Sequence, residues 1–211
     1  MFNLNRAMNS QNIFSNTRFL LSGFSLKDLP EDRGIEIAFC GRSNSGKSSV
    51  LNALARNKKL AKTSKTPGRT QAINIFYLDD QKMRRIADLP GYGFAKVSKK
   101  TQKEWARFIN DYLTFRKSLR GLVVIMDIRH PFKESDLTLM DWCHKTNTAL
   151  LILLNKSDKL STSKAKEEVK KANSTIKEMN LIGEAIAFSS KKNIGLKGLT
   201  CLLYTSPSPR D

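Results

Sequence analysis

The run Gly41-Arg42-Ser43-Asn44-Ser45-Gly46-Lys47-Ser48 fits the pattern G-x-x-x-x-G-K-[ST], a backbone cradle for phosphate. Its glycines let the chain curl so that N–H groups point inward at phosphate oxygens, helped by the N-terminus of the following helix. Lys47 would reach the β- and γ-phosphates, and the Ser48 hydroxyl would sit on Mg²⁺. The pattern means little outside a strand–loop–helix setting. That setting is present: Ile35-Glu36-Ile37-Ala38-Phe39-Cys40 reads as a buried strand, and Ser49-Val50-Leu51-Asn52-Ala53-Leu54 opens a helix. A Gly/Ser-rich turn before an ordinary helix is the bland alternative, and this context argues against it. The chain is expected to bind a nucleoside triphosphate.

A second constellation chooses the base. Ala149-Leu150-Leu151-Ile152-Leu153-Leu154 is a continuous apolar run, the pattern of a strand covered on both faces. It delivers Asn155-Lys156-Ser157-Asp158 at its C-terminal end, where open α/β sheets bind ligands. N-K-x-D is a guanine-reading signature. The Asp158 carboxylate would accept from both the ring N–H and the exocyclic amine of guanine. Adenine offers no such donor pair on that edge, so ATP would leave a buried charge unpaired. Asn155 and the stem of Lys156 would brace the loop and cover the base.

Between these two lies a set suited to hydrolysis. Met83-Arg84-Arg85-Ile86-Ala87-Asp88 reads as a strand ending in Asp88-Leu89-Pro90-Gly91, a D-x-x-G. Asp88 would hold Mg²⁺ through water, and the Gly91 N–H would sense the γ-phosphate. Lys65-Thr66-Pro67-Gly68-Arg69-Thr70-Gln71 falls where a switch loop must sit, between the phosphate-loop helix and a strand at 73–78. Thr70 is the candidate for a second Mg²⁺ hydroxyl ligand, made only with the γ-phosphate present; ordering of such loops reports the bound state. Ala187-Phe188-Ser189-Ser190-Lys191 ends a last strand and is similar to the Ser-Ala-Lys loop whose backbone supports the base. Tyr92 stands where a water-orienting glutamine is expected; it has no carboxamide, so intrinsic hydrolysis should be slow. Asn44 has two readings. Either it binds a potassium ion that supplies charge in the manner of an arginine finger, or it only hydrogen-bonds the switch backbone. The expected catalytic set is Lys47, Thr70, Asp88, Gly91 and Asn44.

These groups need a sheet to hold them. The order of strands and helices predicts an α/β fold, a P-loop three-layer domain with a mostly parallel sheet flanked by helices. Trp105, Phe108, Ile109, Tyr112 and Leu113 fall at helical spacing and form one apolar stripe that packs on the sheet. About 200 of the 211 residues make one α/β domain with room for a substantial core. Cys40 and Cys143, without C-x-x-C spacing, read as reduced core residues in a cytosol. His130 and His144 lack partner ligands. No run approaches a membrane span, and Phe19-Leu20-Leu21 is too short for a signal peptide.

The stretches GRSNSGKSS, SKTPGRTQAIN, DLPGYGFAKV, DIRHPF, NKSDKL and FSS together resemble the EngB/YihA (YsxC) group of bacterial ribosome-biogenesis GTPases, within the Era- and TrmE-like GTPases. The resemblance runs from about residue 16 to residue 200. KTPGRTQ and DLPGYG in this form are not shared by Era-like relatives. The resemblance implies GTP contacts along Gly41-Arg42-Ser43-Asn44-Ser45-Gly46-Lys47-Ser48, Gly68-Arg69-Thr70-Gln71-Ala72, Asp88-Leu89-Pro90-Gly91, Asn155-Lys156-Ser157-Asp158 and Phe188-Ser189-Ser190. It implies Mg²⁺ at Ser48 and Thr70. Phe94 sits where the family often has tyrosine, and Asn155 where it often has threonine.

The final residues do not belong to this pattern. Cys201-Leu202-Leu203-Tyr204-Thr205-Ser206-Pro207-Ser208-Pro209-Arg210-Asp211 matches, in one frame, the translation of a transposase sequencing adapter. It is read as a non-native scar rather than a Ser/Pro-rich tail, which would cut short the family's last helix, beginning near Leu196. The expected organisation is an N-terminal extension over 1–22, loosely ordered at its start, a G domain over 23–200 and the tail over 201–211.

Lys and Arg number 37 against 19 Asp and Glu, a net charge of +18, and the tail carries one residue of each sign. Basic residues crowd Lys58, Lys59, Lys62, Lys65 and Arg69, then Lys96, Lys99, Lys100 and Lys103, and more lie at 164–177. Self-repulsion on this scale is tolerable beside a polyanion. Ribosomal RNA is the expected partner, contacted through phosphate and shape, although no RRM or KH pattern is visible. The expectation is a monomeric, cytoplasmic, Mg²⁺-dependent GTP switch in assembly of the large ribosomal subunit, with septation dependent on it and neither membrane nor DNA as partner. The alternative is a septum-associated GTPase scaffold that does not act on ribosomes. A metabolic or RNA-modifying enzyme would need a second catalytic domain or nucleophile motif, and none is visible.

Overall fold

The computed structural model describes residues 13–61, 72–92 and 99–199. In chain order the elements are β1 (Arg18–Gly23), β2 (Ile35–Gly41), α1 (Lys47–Leu54), β3 (Ile73–Tyr77), β4 (Arg84–Asp88), α2 (Lys99–Phe115), β5 (Leu119–Asp127), α3 (Glu134–Thr146), β6 (Ala149–Asn155), α4 (Thr162–Glu178) and β7 (Gly183–Ala187). They build one seven-stranded sheet in the order β1-β3-β4-β2-β5-β6-β7. β3 runs antiparallel to both its neighbours, and every other pairing is parallel.

Alternation of side chains along the apolar runs fixes the layers, because successive residues of a strand point to opposite faces. Ala38, Cys40, Leu122, Val124, Met126, Leu150, Ile152 and Leu154 face one side, where they meet Tyr112 and Leu113 of α2, Met140 and Cys143 of α3, and Ala172 and Ile176 of α4. Phe39, Val123, Ile125, Leu151 and Leu153 face the other, against Val50, Leu51 and Leu54 of α1. Strands covered on both faces read as unbroken apolar runs, as β5 and β6 do. Phe108 and Ile109 pack against the first layer as their helical spacing predicts, whereas the Trp105 side chain lies outside the described residues. Cys40 and Cys143 are free and buried, and burial pushes the Cys143 thiol up to about 12. Residues 196–199 are helical, and Leu199 is buried with α1, where the sequence places the start of a last helix. The tail at 201–211 lies outside the described residues.

The sheet begins earlier than the sequence suggests. The boundary expected between residues 22 and 23 falls inside β1, which pairs with β3. Phe19 meets Phe76 edge to face at 5.8 Å, and Phe14, just upstream, is buried in the α1 layer. The strand is hard to read because its register shifts between Phe19 and Leu21, and such an irregularity destroys the two-residue alternation.

At the end of β2 away from the phosphate loop, Glu36 is fully buried. Its carboxylate accepts from Arg85 Nε at 3.0 Å, from Arg116 Nε and Nη2 at 3.1 Å each, and from Tyr112 Oη at 2.7 Å. Further guanidinium donors go to the carbonyls of Lys82, Glu31, Arg33 and Pro30. This network ties β2, β4 and α2 together at one end and leaves the other end to the site.

Candidate functional site

β2, β4, β5, β6 and β7 all run the same way, so their C-terminal ends deliver the signature loops side by side. β2 ends at Gly41, where a Cβ would stand 2.5 Å from the Ile125 carbonyl oxygen and 2.7 Å from Ser45 Oγ. The loop is pinned by Ser45 N–H on the Arg42 carbonyl and Ser43 N–H on the Tyr92 carbonyl, both at 3.0 Å. Gly46 caps α1 with φ at +96°, and a Cβ there would fall 2.3 Å from Asn155 Nδ2. Gly46→Ala is therefore expected to destabilise the nucleotide-free protein by about 1–3 kcal/mol, through strained backbone and a displaced Asn155. Thermal denaturation of the variant checks this, and an unchanged midpoint would show that the loop relaxes freely.

Lys47 opens α1 and pairs with the carboxylate of Asp88, the last residue of β4. Asp88 Oδ2 also accepts from Asn74 Nδ2 at 3.4 Å, and Asn74 Oδ1 accepts from Ser22 Oγ at 2.7 Å. A polar chain thus runs from the edge strand to the Asp88 carboxylate. Leu89 and Pro90 are buried, so these two expected nucleotide contacts have only backbone to offer. Tyr92 is committed elsewhere: its hydroxyl donates to Asp136 Oδ1 of α3 at 2.6 Å, and burial holds its pKa above the ordinary value. It is not free to orient water. Ala72 is buried just before β3, while Gly68, Arg69, Thr70 and Gln71 lie outside the described residues.

The base-reading loop leaves β6. Asn155 Nδ2 donates to the Ser45 carbonyl at 2.8 Å, and Lys156 Nζ donates to the Asn44 carbonyl at 2.7 Å. Ser157 N–H donates to the Phe188 carbonyl at 3.0 Å, while the Phe188 ring lies in the core. Ser189 Oγ donates to Asp158 Oδ1 at 2.6 Å, which holds the Asp158 carboxyl below its ordinary range and leaves Oδ2 for a ligand. Ser190 sits half-buried in the turn that follows. Among the described residues, four buried side-chain polar atoms have no partner, and three of them are here: Ser45 Oγ, Asn155 Oδ1 and Ser157 Oγ. Buried polar atoms without partners are expensive and uncommon. Their concentration beside a phosphate loop fits a site shaped for a polar ligand.

A family model described as "50S ribosome-binding GTPase" matches residues 36–156. The "Probable GTP-binding protein EngB" of Salmonella paratyphi B is 46% identical over 186 residues, covering 88% of each chain. Its Escherichia coli counterpart is 46% identical over 192 residues, covering 91% of this chain and 90% of its own. The chain belongs to the EngB family of GTP-binding proteins. A solved structure of a probable EngB superposes with a TM-score of 0.62 at 21% identity, over 80% of this chain and 96% of its own. An S. thermophilus NFeoB mutant bound to GMPPNP gives a TM-score of 0.60 at 23% identity, over 84% of this chain and 63% of its own. At those identities the likeness shows the P-loop GTPase fold alone. As an EngB-family member the chain is a GTPase that binds GTP and GDP.

Asp127 opens the DIRHPF stretch and Asn74 closes SKTPGRTQAIN, but neither residue has a role in the sequence reading, and Asp136 lies outside every matching stretch. Asp127 and Asp88 each end a parallel strand at the ligand edge, a position that could have flagged Asp127. Asn74 and Asp136 carry no such signal, because their roles depend on cross-strand register and on where α3 packs.

Proposed function

We propose that this GTPase is a slow switch in assembly of the large ribosomal subunit, with normal septation dependent on it. The observation that carries the reading is the match to a ribosome-binding GTPase family in a chain of net charge +18. A surface that cationic favours a polyanion and steers it by long-range attraction.

At the site, Lys47 would turn from Asp88 to the β- and γ-phosphates, and the Gly91 N–H would report the γ-phosphate. Ser48 and Asp88 are oxygen donors suited to Mg²⁺, with Thr70 expected as a further ligand, and bound Mg²⁺ would neutralise charge on the phosphates. Among the described residues no cluster of three or more His, Cys, Asp or Glu could hold a metal unaided. Mg²⁺ does not need one, since it is commonly held by one or two side chains plus phosphates. With its hydroxyl bound to Asp136, Tyr92 does not replace the missing glutamine, which supports slow intrinsic turnover.

Pelleting the protein through sucrose with purified large and small subunits, under GDP and under GMPPNP, tests the switch. Binding to the large subunit with GMPPNP alone is the expected result. Equal pelleting in both nucleotides would remove the switch, and none in either would return the septum-associated scaffold to first place.

A further inference from the structure

Asn44 and Lys156 are far apart in sequence yet share an uncommon backbone, with φ of 65° and 64°. That left-handed region disfavours residues carrying a side chain. The two residues meet, since Lys156 Nζ donates to the Asn44 carbonyl at 2.7 Å. One loop cradles phosphate and the other reads the base, so this bond clasps the two halves of the nucleotide site. The ammonium has a second partner. Asp127 Oδ2 lies 3.0 Å from it, at the last residue of β5, directly across the ladder from Asn155. Arg129 grips the same carboxylate through both oxygens, Nε to Oδ1 at 2.9 Å and Nη2 to Oδ2 at 2.7 Å. Its backbone N–H adds a bond to Oδ1 at 3.1 Å. The Arg129 bonds, with burial opposing and Lys156 assisting, hold the Asp127 carboxyl well below the usual range, so it is ionised wherever the protein is folded near neutral pH.

A fork-shaped guanidinium pairing fixes a carboxylate in direction as well as in place. Lys156 has a long, flexible stem, and a loosely held ammonium would leave Asn44 often. With Asp127 19% exposed and Lys156 30%, the pair is shielded from water more than an ordinary surface salt bridge. We propose that Asp127 is a positioning residue for guanine-nucleotide binding: its carboxylate, aimed by Arg129, holds Lys156 against Asn44 and keeps the phosphate loop and the base loop in register. It acts through Lys156, and it leaves the choice of base to Asp158.

The test is release and equilibrium binding of mant-GDP for the wild type, Asp127→Asn, Lys156→Met and the double variant. Asp127→Asn is expected to weaken binding about tenfold, mostly by faster release, a coupling typical of contacting residues. In the Lys156→Met background the same change is expected to do nothing further. Preference of Asp127→Asn for GDP over XDP is expected to stay at the wild-type value, because Asp158 is untouched. Its nucleotide-free melting temperature is expected to fall by a few degrees with the loss of the ionised carboxylate. Unchanged release, additive losses in the double variant, or a changed preference of Asp127→Asn for GDP over XDP would each overturn the assignment. Absence of mant-GDP binding by the wild type would instead remove the site itself.

Discussion

Asp158→Asn is expected to lower affinity for GTP by about 10⁴-fold and to create a site for XTP. The Asp158 carboxylate has one oxygen occupied by the Ser189 hydroxyl at 2.6 Å and the other available to the base. Guanine presents two donors to it, the ring N–H and the exocyclic amine. An asparagine keeps the acceptor beside Ser189 but turns the other arm into a donor, so the guanine amine meets an N–H. Xanthine carries a carbonyl where guanine has that amine, and donor then faces acceptor. A polar site that loses its match rejects a ligand by far more than an apolar one of the same shape, because buried groups are left unpaired. Competition of mant-GTP and mant-XTP for both proteins reads the swap directly. If the variant binds neither nucleotide, its melting temperature tells loss of the loop from loss of recognition. If it still prefers GTP, Asp158 does not read the base.

Glu36→Gln is expected to cost about 3–5 kcal/mol of stability. Among the described residues Glu36 is the only carboxylate placed between Arg85 and Arg116, both buried, while the more exposed Asp32 lies 3.6 Å from Arg116. Glutamine preserves the shape and one acceptor but leaves two buried guanidinium groups without their shared counter-charge. Removing one member of such a set is far worse than replacing the whole of it with apolar residues, since the surviving cations cannot be rehydrated. For a domain of this size the loss corresponds to a fall in midpoint of roughly 6–20 °C. The network sits at the far end of β2 from the phosphate loop, so mant-GDP affinity measured at low temperature should remain that of the wild type. A midpoint within two degrees of wild type, on the order of the shift from a single kcal/mol, would mean that water or Asp32 supplies the missing charge.

Much of this structure is legible in the sequence because the motifs and the apolar runs agree with each other. The runs at 35–40, 73–78, 83–88 and 149–154 appear as β2, β3, β4 and β6 within a residue or so at their ends. Asn155 braces the phosphate loop through Ser45, as its place in the N-K-x-D suggests. Where reading fails, the cause is long-range register. β1 hides behind a bulge, and its role in supporting Asp88 exists only because Ser22 and Asn74 sit opposite each other across two strands. Tyr92 and Asp136 are separated by 44 residues, and no local pattern pairs them. Glu36 reads as an odd charge inside an apolar strand, and the arginines that explain it arrive 49 and 80 residues later.

The last contribution to the base pocket, the Ser189 hydroxyl that steadies Asp158, comes after β7. During synthesis the phosphate cradle is therefore complete in sequence by Ser48, while the carboxylate that distinguishes guanine waits for Ser189. At about 5–20 residues per second this interval is on the order of ten seconds. A nascent chain paused before β7 would carry Asp158 without the hydroxyl that steadies it, and so would hold guanine more loosely than a chain extended past Ser189. Tight guanine-nucleotide binding then marks a chain synthesised past Ser189, and a guanine-nucleotide resin would retain such chains longer than shorter ones.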